Sequence, residues 1–373
     1  MNGRSTVVAS ALADADATAF VHVGDRHDAA LRYLVGFDGP ACEFAYVHVD
    51  HPVVCVPPAY EARARQSLDG DEVRTLDGPP GLAARAVLDD ALDAPGTVLV
   101  PRHLPHDAAV HLESGGYDLA STRAVADARA VKTDAELDRH RAAQSGAERA
   151  MAAVASTLSA ADPADGELHA DDRPLTPARL RRVANVALAE AGVSDAGNTV
   201  VRSDAAPIDG VVRSDAADGE PLGVSDLLTV AVAPREPGGY HGVLARTFVV
   251  ESDGGWERRA AVAVDASRRV GVDTAAPGED ASYVRAEATA ELGSFGLSPV
   301  ALTPELPAVA RGVGLDLDEA PDFASETPLE PGHVFVLAPA VRGEKGLVGT
   351  ADLAVVTEDG AELVGSVPTS LSP

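Results

Sequence analysis

Short apolar segments alternate with Ala-, Arg- and Leu-rich stretches through the first third of the chain. No other feature narrows the fold as much. The apolar segments are VHVG from Val21, FAYVHV from Phe44, VVCV from Val53 and TVLV from Thr97. Each has the length of a strand, and the intervening stretches 60–68 and 81–92 have helical composition. Strands interleaved with helices predict a layered α/β domain with some parallel pairing, since a parallel return needs a crossover long enough to hold a helix.

The pattern changes over residues 127–133. Thr133 and Glu136 have capping-box spacing and predict a long helix ending near Leu158. The acidic stretch 160–173 reads as an exposed loop. Thr176 before Pro177 marks a second helix start, with Pro where a missing N–H costs nothing, and Gly192 its stop. Strand-like LLTVAVAP from Leu227 and RTFVVES from Arg246 follow, then helices near 256–270 and 280–292 separated by Pro277-Gly278. HVFVLAP from His333 and ADLAVVTEDGAELVG from Ala351 are again β, the second folding back at the hairpin dipeptide Asp359-Gly360. This part reads as α+β, helices bracketed by antiparallel strands. No short-period repeat is present.

Charge excludes whole classes of partner. Asp+Glu number 58 against 30 Lys+Arg, a net charge of −28. A nucleic-acid binder needs a basic footprint, and an anionic membrane surface would repel this chain. Lys occurs only at Lys132 and Lys345, and aromatics make up 4%. An acidic, Lys-poor, Ala-rich composition is expected of a halophilic protein, since molar salt screens self-repulsion. Cys42 and Cys55 make no disulfide framework and no Cys-Cys zinc motif. MNGRSTVVASALADADA lacks a basic region followed by an apolar core, and no run reaches the ~20 apolar residues of a span. A cytoplasmic protein is the expectation. His103, His106 and His111 recur in PRHLPHDAAVH, but no Cys or spaced Asp/Glu set completes a tetrahedral site, so no metal is assigned there. His48 and His51 are read the same way.

Five strings, in order, resemble the prolidase, Xaa-Pro aminopeptidase and creatinase superfamily with its pita-bread fold. RYLVGFDG from Arg32 is similar to the N-terminal Tyr-Leu-Thr-Gly-Phe segment, and RAVKTDAELDRHRAA from Arg129 to the interdomain helix start. GYHGVLARTFVV from Gly239 resembles Gly-Tyr-x-Ser-Asp-x-Thr-Arg-Thr. ARGVGLDLDEAP from Ala310 resembles Gly-His-Gly-Ile-Gly-Leu-x-x-His-Glu-x-Pro, and LEPGHVFVLAP from Leu329 resembles Leu-x-x-Gly-Met-Val-x-x-Ile-Glu-Pro. The resemblance covers nearly the whole chain. It implies a creatinase-N-like α/β domain over 1–128, an α+β pita-bread domain over 129–373, and a homodimer.

The resemblance also implies where metal ligands would fall. Active members hold two divalent ions with two Asp, one His and two Glu. Here the first Asp falls at Ala231 or Val232, the second at Val243, the His at Arg311, and the two Glu at Ala338 and Ala351. Hard divalent ions want oxygen or imidazole donors, and these residues offer none. No metal and no other cofactor are therefore expected. The reading that follows is a catalytically degenerate homologue binding a peptide, a small molecule or a partner. Tyr240, His241, Arg246, Arg311, Asp316 and Asp318 are its candidate binding residues. A creatinase-like metal-free C–N hydrolase is the alternative, with His241 and Glu319 as catalytic residues. An active Xaa-Pro peptidase with relocated ligands is the third reading. No Gly-x-Ser-x-Gly elbow or phosphate loop supports other chemistries.

Overall fold

The computed structural model describes residues 3–68, 71–203, 220–252, 254–304, 306 and 309–373. It divides into two compact units, Met1–Arg129 and Ala130–Pro373. No helix among the described residues is long and apolar enough to cross a membrane.

The first unit is a six-stranded mixed sheet with helices. Its strands are β1 (Ala19–Gly24), β2 (Phe44–His48), β3 (Pro52–Val56), β4 (Glu72–Thr75), β5 (Thr97–Pro101) and β6 (Asp118–Thr122), in the order β4-β3-β2-β1-β5-β6. The β1–β2–β3 meander is antiparallel, while β4, β5 and β6 join in parallel. Its helices are α1 (Gly3–Asp14), α2 (Ala29–Val35), α3 (Glu61–Ser67), α4 (Pro80–Ala91), α5 (His106–Glu113) and α6 (Ala124–Ala128). Val21, Val23, Ala45, Val47, Val53, Cys55, Val98 and Val100 pack beneath Ala84, Val87 and Leu88 of α4 and Ala108 and Leu112 of α5. Burial on both faces explains why these strands read as continuous apolar runs.

In the second unit, α7 (Asp134–Ser159) starts where the capping box predicts: the Thr133 N–H donates to Glu136 Oε2 at 2.8 Å. The stretch 160–173, expected as a loop, instead folds into three short antiparallel strands, β7 (Asp162–Ala164), β8 (Glu167–Ala170) and β9 (Arg173–Pro174). Its turns carry paired positive φ values, 53° and 84° at Asp165-Gly166, 53° and 55° at Asp171-Asp172. Such turns match strand twist and let polar strands pair without an apolar alternation to announce them. The helix α8 (Pro177–Glu190) begins at its Thr176 cap.

The main sheet comprises β10 (Val200–Ser203), β11 (Leu228–Val232), β12 (Leu244–Phe248), β13 (Ala310–Gly312), β14 (Val334–Leu337), β17 (Ala351–Thr357) and β18 (Gly360–Leu363); a separate hairpin holds β15 (Ala340–Gly343) and β16 (Gly346–Gly349). The order is β10-β11-β12-β17-β14-β13, with β18 also on β17. Thr357 pairs with Gly360, so the hairpin turn is Glu358-Asp359 and Gly360 opens the return strand. One face of the sheet carries Val230, Val232, Leu244 and Phe248 against α7 and α8. The same face carries Phe335, Leu337 and Ala354 near α9 (Trp256–Thr274) and α10 (Ala281–Ser294). The opposite face has its own core.

Candidate functional site

Two groups of residues meet at the start of β12. The first is polar and hangs from α7. Glu136, which caps that helix, also accepts the Tyr240 hydroxyl. One helical turn on, His140 is 1% exposed; its Nδ1 donates to the His241 carbonyl at 2.7 Å, and its ring meets Tyr240 edge-on at 5.1 Å. The Lys132 ammonium, also buried, donates to the Ala130 carbonyl at 3.1 Å and lies 3.4 Å from Glu319 Oε2. The other Glu319 oxygen accepts the Asp316 N–H at 2.9 Å. Burial pushes His140 down to about 3, and the Lys132 charge adds to it. Burial likewise takes His241 down to about 4, against the Ala233 carbonyl and the Glu319 charge, which pull it up. Both imidazoles are neutral at ordinary pH.

The second group is apolar and sits on the sheet face away from the helices. Ala231 pairs with Ala245, and Ala245 with Ala351, so these three side chains share a face. Val243 precedes Ala245 by two residues and takes the same side. Ala231, Val243, Ala338 and Ala351 all lie in one core with Leu302, Leu306 and Val336, each at most 4% exposed. Val232 belongs to the opposite core, so register selects Ala231 as the position matching the first Asp of the resemblance. Arg311 pairs with Val336 and joins this face, half-buried. The side chains at these five positions carry no oxygen or neutral imidazole, so they do not fit a pair of divalent ions.

The residues expected from sequence are thus divided. Tyr240, His241 and Glu319 come together, but Tyr240 gives its hydroxyl to Glu136, and the His241 Nδ1 lies 3.3 Å from the Ala233 carbonyl rather than on a carboxylate. Arg246, expected to bind ligand, points to the helix-covered face and is 2% exposed. Its guanidinium bonds Asp352 at 2.7 Å, Thr350 at 2.6 Å and the carbonyls of Ala245, Ala351, Val367 and Pro368. That arginine is structural, because its donors are taken up inside the protein. Asp316 and Asp318 are exposed on the bend that follows β13. Lys132, Glu136 and His140 were missed as site residues, although all three lie in the string that carries the resemblance at the helix start.

The model of metallopeptidase family M24 matches residues 138–358, more than half of the chain. The chain belongs to that family. No curated protein matches it in sequence. Among solved structures, the prolidase from Pyrococcus horikoshii OT3 superposes with a TM-score of 0.81 at 17% identity, covering 99% of this chain and 100% of its own. The Xaa-Pro dipeptidase from Bacillus anthracis gives 0.82 at 18%, covering 99% and 98%. The N-terminal domain of FACT complex subunit SPT16 from Cicer arietinum gives 0.74 at 15%, covering 99% and 97%. The fold is that of the prolidases, an α/β N-terminal domain followed by an α+β pita-bread domain.

Proposed function

We propose that this chain is a non-hydrolytic member of family M24 that binds a peptide or a partner protein without two-metal chemistry. The observation that carries this reading is the apolar core formed by Ala231, Val243, Ala338 and Ala351, with Arg311 on the same face. Two ions about 3.5–4 Å apart need bridging carboxylates to offset their mutual repulsion, and a fixed guanidinium beside them would raise that repulsion further. The SPT16 domain supports the reading as analogy, since the same fold there serves a complex subunit. A guanidinium on an apolar face suits the carboxylate of a peptide. Metal-free hydrolysis through His241 and Glu319 has less support, because an imidazole held near 4 is a weak base at neutral pH. A homodimer and a cytoplasmic setting are part of the same proposal.

The test is hydrolysis of Ala-Pro and Gly-Pro by the full chain in molar KCl with Mn²⁺, Co²⁺ or Zn²⁺. Product formation at the buffer rate is expected. Chelator-sensitive turnover would overturn the reading.

A further inference from the structure

The first unit holds a second constellation. His22 lies on β1 and is fully buried; its Nε2 is 2.9 Å from Asp28 Oδ2. His103 follows β5, and its Nε2 is 3.1 Å from that same oxygen. Asp28 caps α2, where its Oδ1 accepts the Leu31 N–H at 2.8 Å. That bond fixes the carboxylate and aims Oδ2 at the two rings. The rings stand edge to face at 90°, centroids 5.0 Å apart. The three ligand atoms all lie within 4.8 Å of one another.

We infer that His22, Asp28 and His103 form a binding site for one transition-metal dication of the zinc class. Tetrahedral coordination at 2.0–2.1 Å separates neighbouring ligand atoms by about 3.3 Å. The observed 2.9 and 3.1 Å need open by only a few tenths of an ångström to admit an ion. Two imidazoles and a carboxylate are the donor set that borderline dications prefer over Mg²⁺ or Ca²⁺. The His103 side chain is 62% exposed, which gives the ion access and leaves its fourth position to water. Among the described residues the buried Nδ1 of His22 has no hydrogen-bond partner. Without that outer support, affinity falls roughly 10–100-fold below that of a buttressed site.

The test is titration of the chelator-treated full chain with Co²⁺ in molar KCl, read by visible d–d absorption. One Co²⁺ per chain with intense tetrahedral bands, displaced by Zn²⁺, is expected. His103→Ala, a change at an exposed side chain, should weaken binding at least tenfold, while His106→Ala should leave it unchanged. Absent bands, or bands indifferent to His103→Ala, overturn the assignment. An ion at this site leaves the dipeptide assay at its buffer rate, so this inference and the non-hydrolytic reading fail separately.

Discussion

Arg246 and Asp352 form an ion pair in which Arg246 is 2% exposed and Asp352 is 7% exposed. Removing one partner from such a pair costs up to about 3–5 kcal/mol, less here for loss of Arg246 because Arg268 Nε still lies 3.7 Å from Asp352. Arg246→Met should lower the unfolding free energy by that much, read as a lower urea midpoint at unchanged slope, and Arg246→Met with Asp352→Leu should recover part of the loss. The buried histidines predict a pH dependence. His140 is depressed to about 3, and His241 and His333 to about 4, in each case chiefly by burial. Folded values below the unfolded value mean that the unfolded chain takes up protons first. Stability is therefore level above about pH 6.5 and falls as pH drops toward the folded values, by up to about 1.4 kcal/mol per pH unit for each group. Urea midpoints at about pH 7.5 and pH 5 would show it, and His140→Asn should flatten the slope. A sequence can name a histidine but not its burial, which is why His241 was legible as a candidate and its neutral state was not.

At the scale of elements, α7 reads clearly because its start is local: Thr133 and Glu136 are three residues apart and close one capping box. Strands β1, β2, β3 and β5 read equally well, as runs of buried β-branched and aromatic residues. The edge strands β4 and β6 did not, since Glu72, Arg74, Asp118 and Ser121 interrupt any apolar run. In β7–β9 a local signal is present: Asp165-Gly166 is the same hairpin dipeptide as Asp359-Gly360. The seam between α7 and the approach to β12 sets the candidate site. Gly242 lies so close to α7 that an added Cβ would stand 2.6 Å from the Gln144 nitrogen and 2.7 Å from the Ala143 carbonyl carbon. Backbone cannot yield as a side chain can. Gly242→Ala should therefore destabilise by about 1–3 kcal/mol, read as a lowered melting temperature. A neutral result would mean that the seam is loose.

For the whole molecule, a net charge of −28 sets the response to salt. The Debye length shrinks from about 10 Å at 0.1 M to about 3 Å at 1 M, so screening relieves self-repulsion that opposes the compact state. The urea midpoint should rise between those salt concentrations; a level or falling midpoint would show that repulsion does not limit stability. Sedimentation in molar KCl checks the proposed homodimer. By itself the sequence determined the two-part α/β and α+β architecture, the helix starts, and, through the resemblance, the want of donor atoms at Ala231 or Val232, Val243, Arg311, Ala338 and Ala351. The architecture and helix starts follow from composition and short-range periodicity, which hold however the chain is paired; the ligand positions follow from the resemblance. Only the tertiary structure decided which side chains share a face. Strand register put Ala231 rather than Val232 beside Ala245, and turned Arg246 away from the site. It also brought His22 and His103, respectively 6 and 75 residues from Asp28, onto one carboxylate oxygen. His103 had been grouped with His106 and His111, its neighbours along the chain. Its partners in space come from β1 and the cap of α2, because long-range pairing sets which strands adjoin, and no local pattern carries that information.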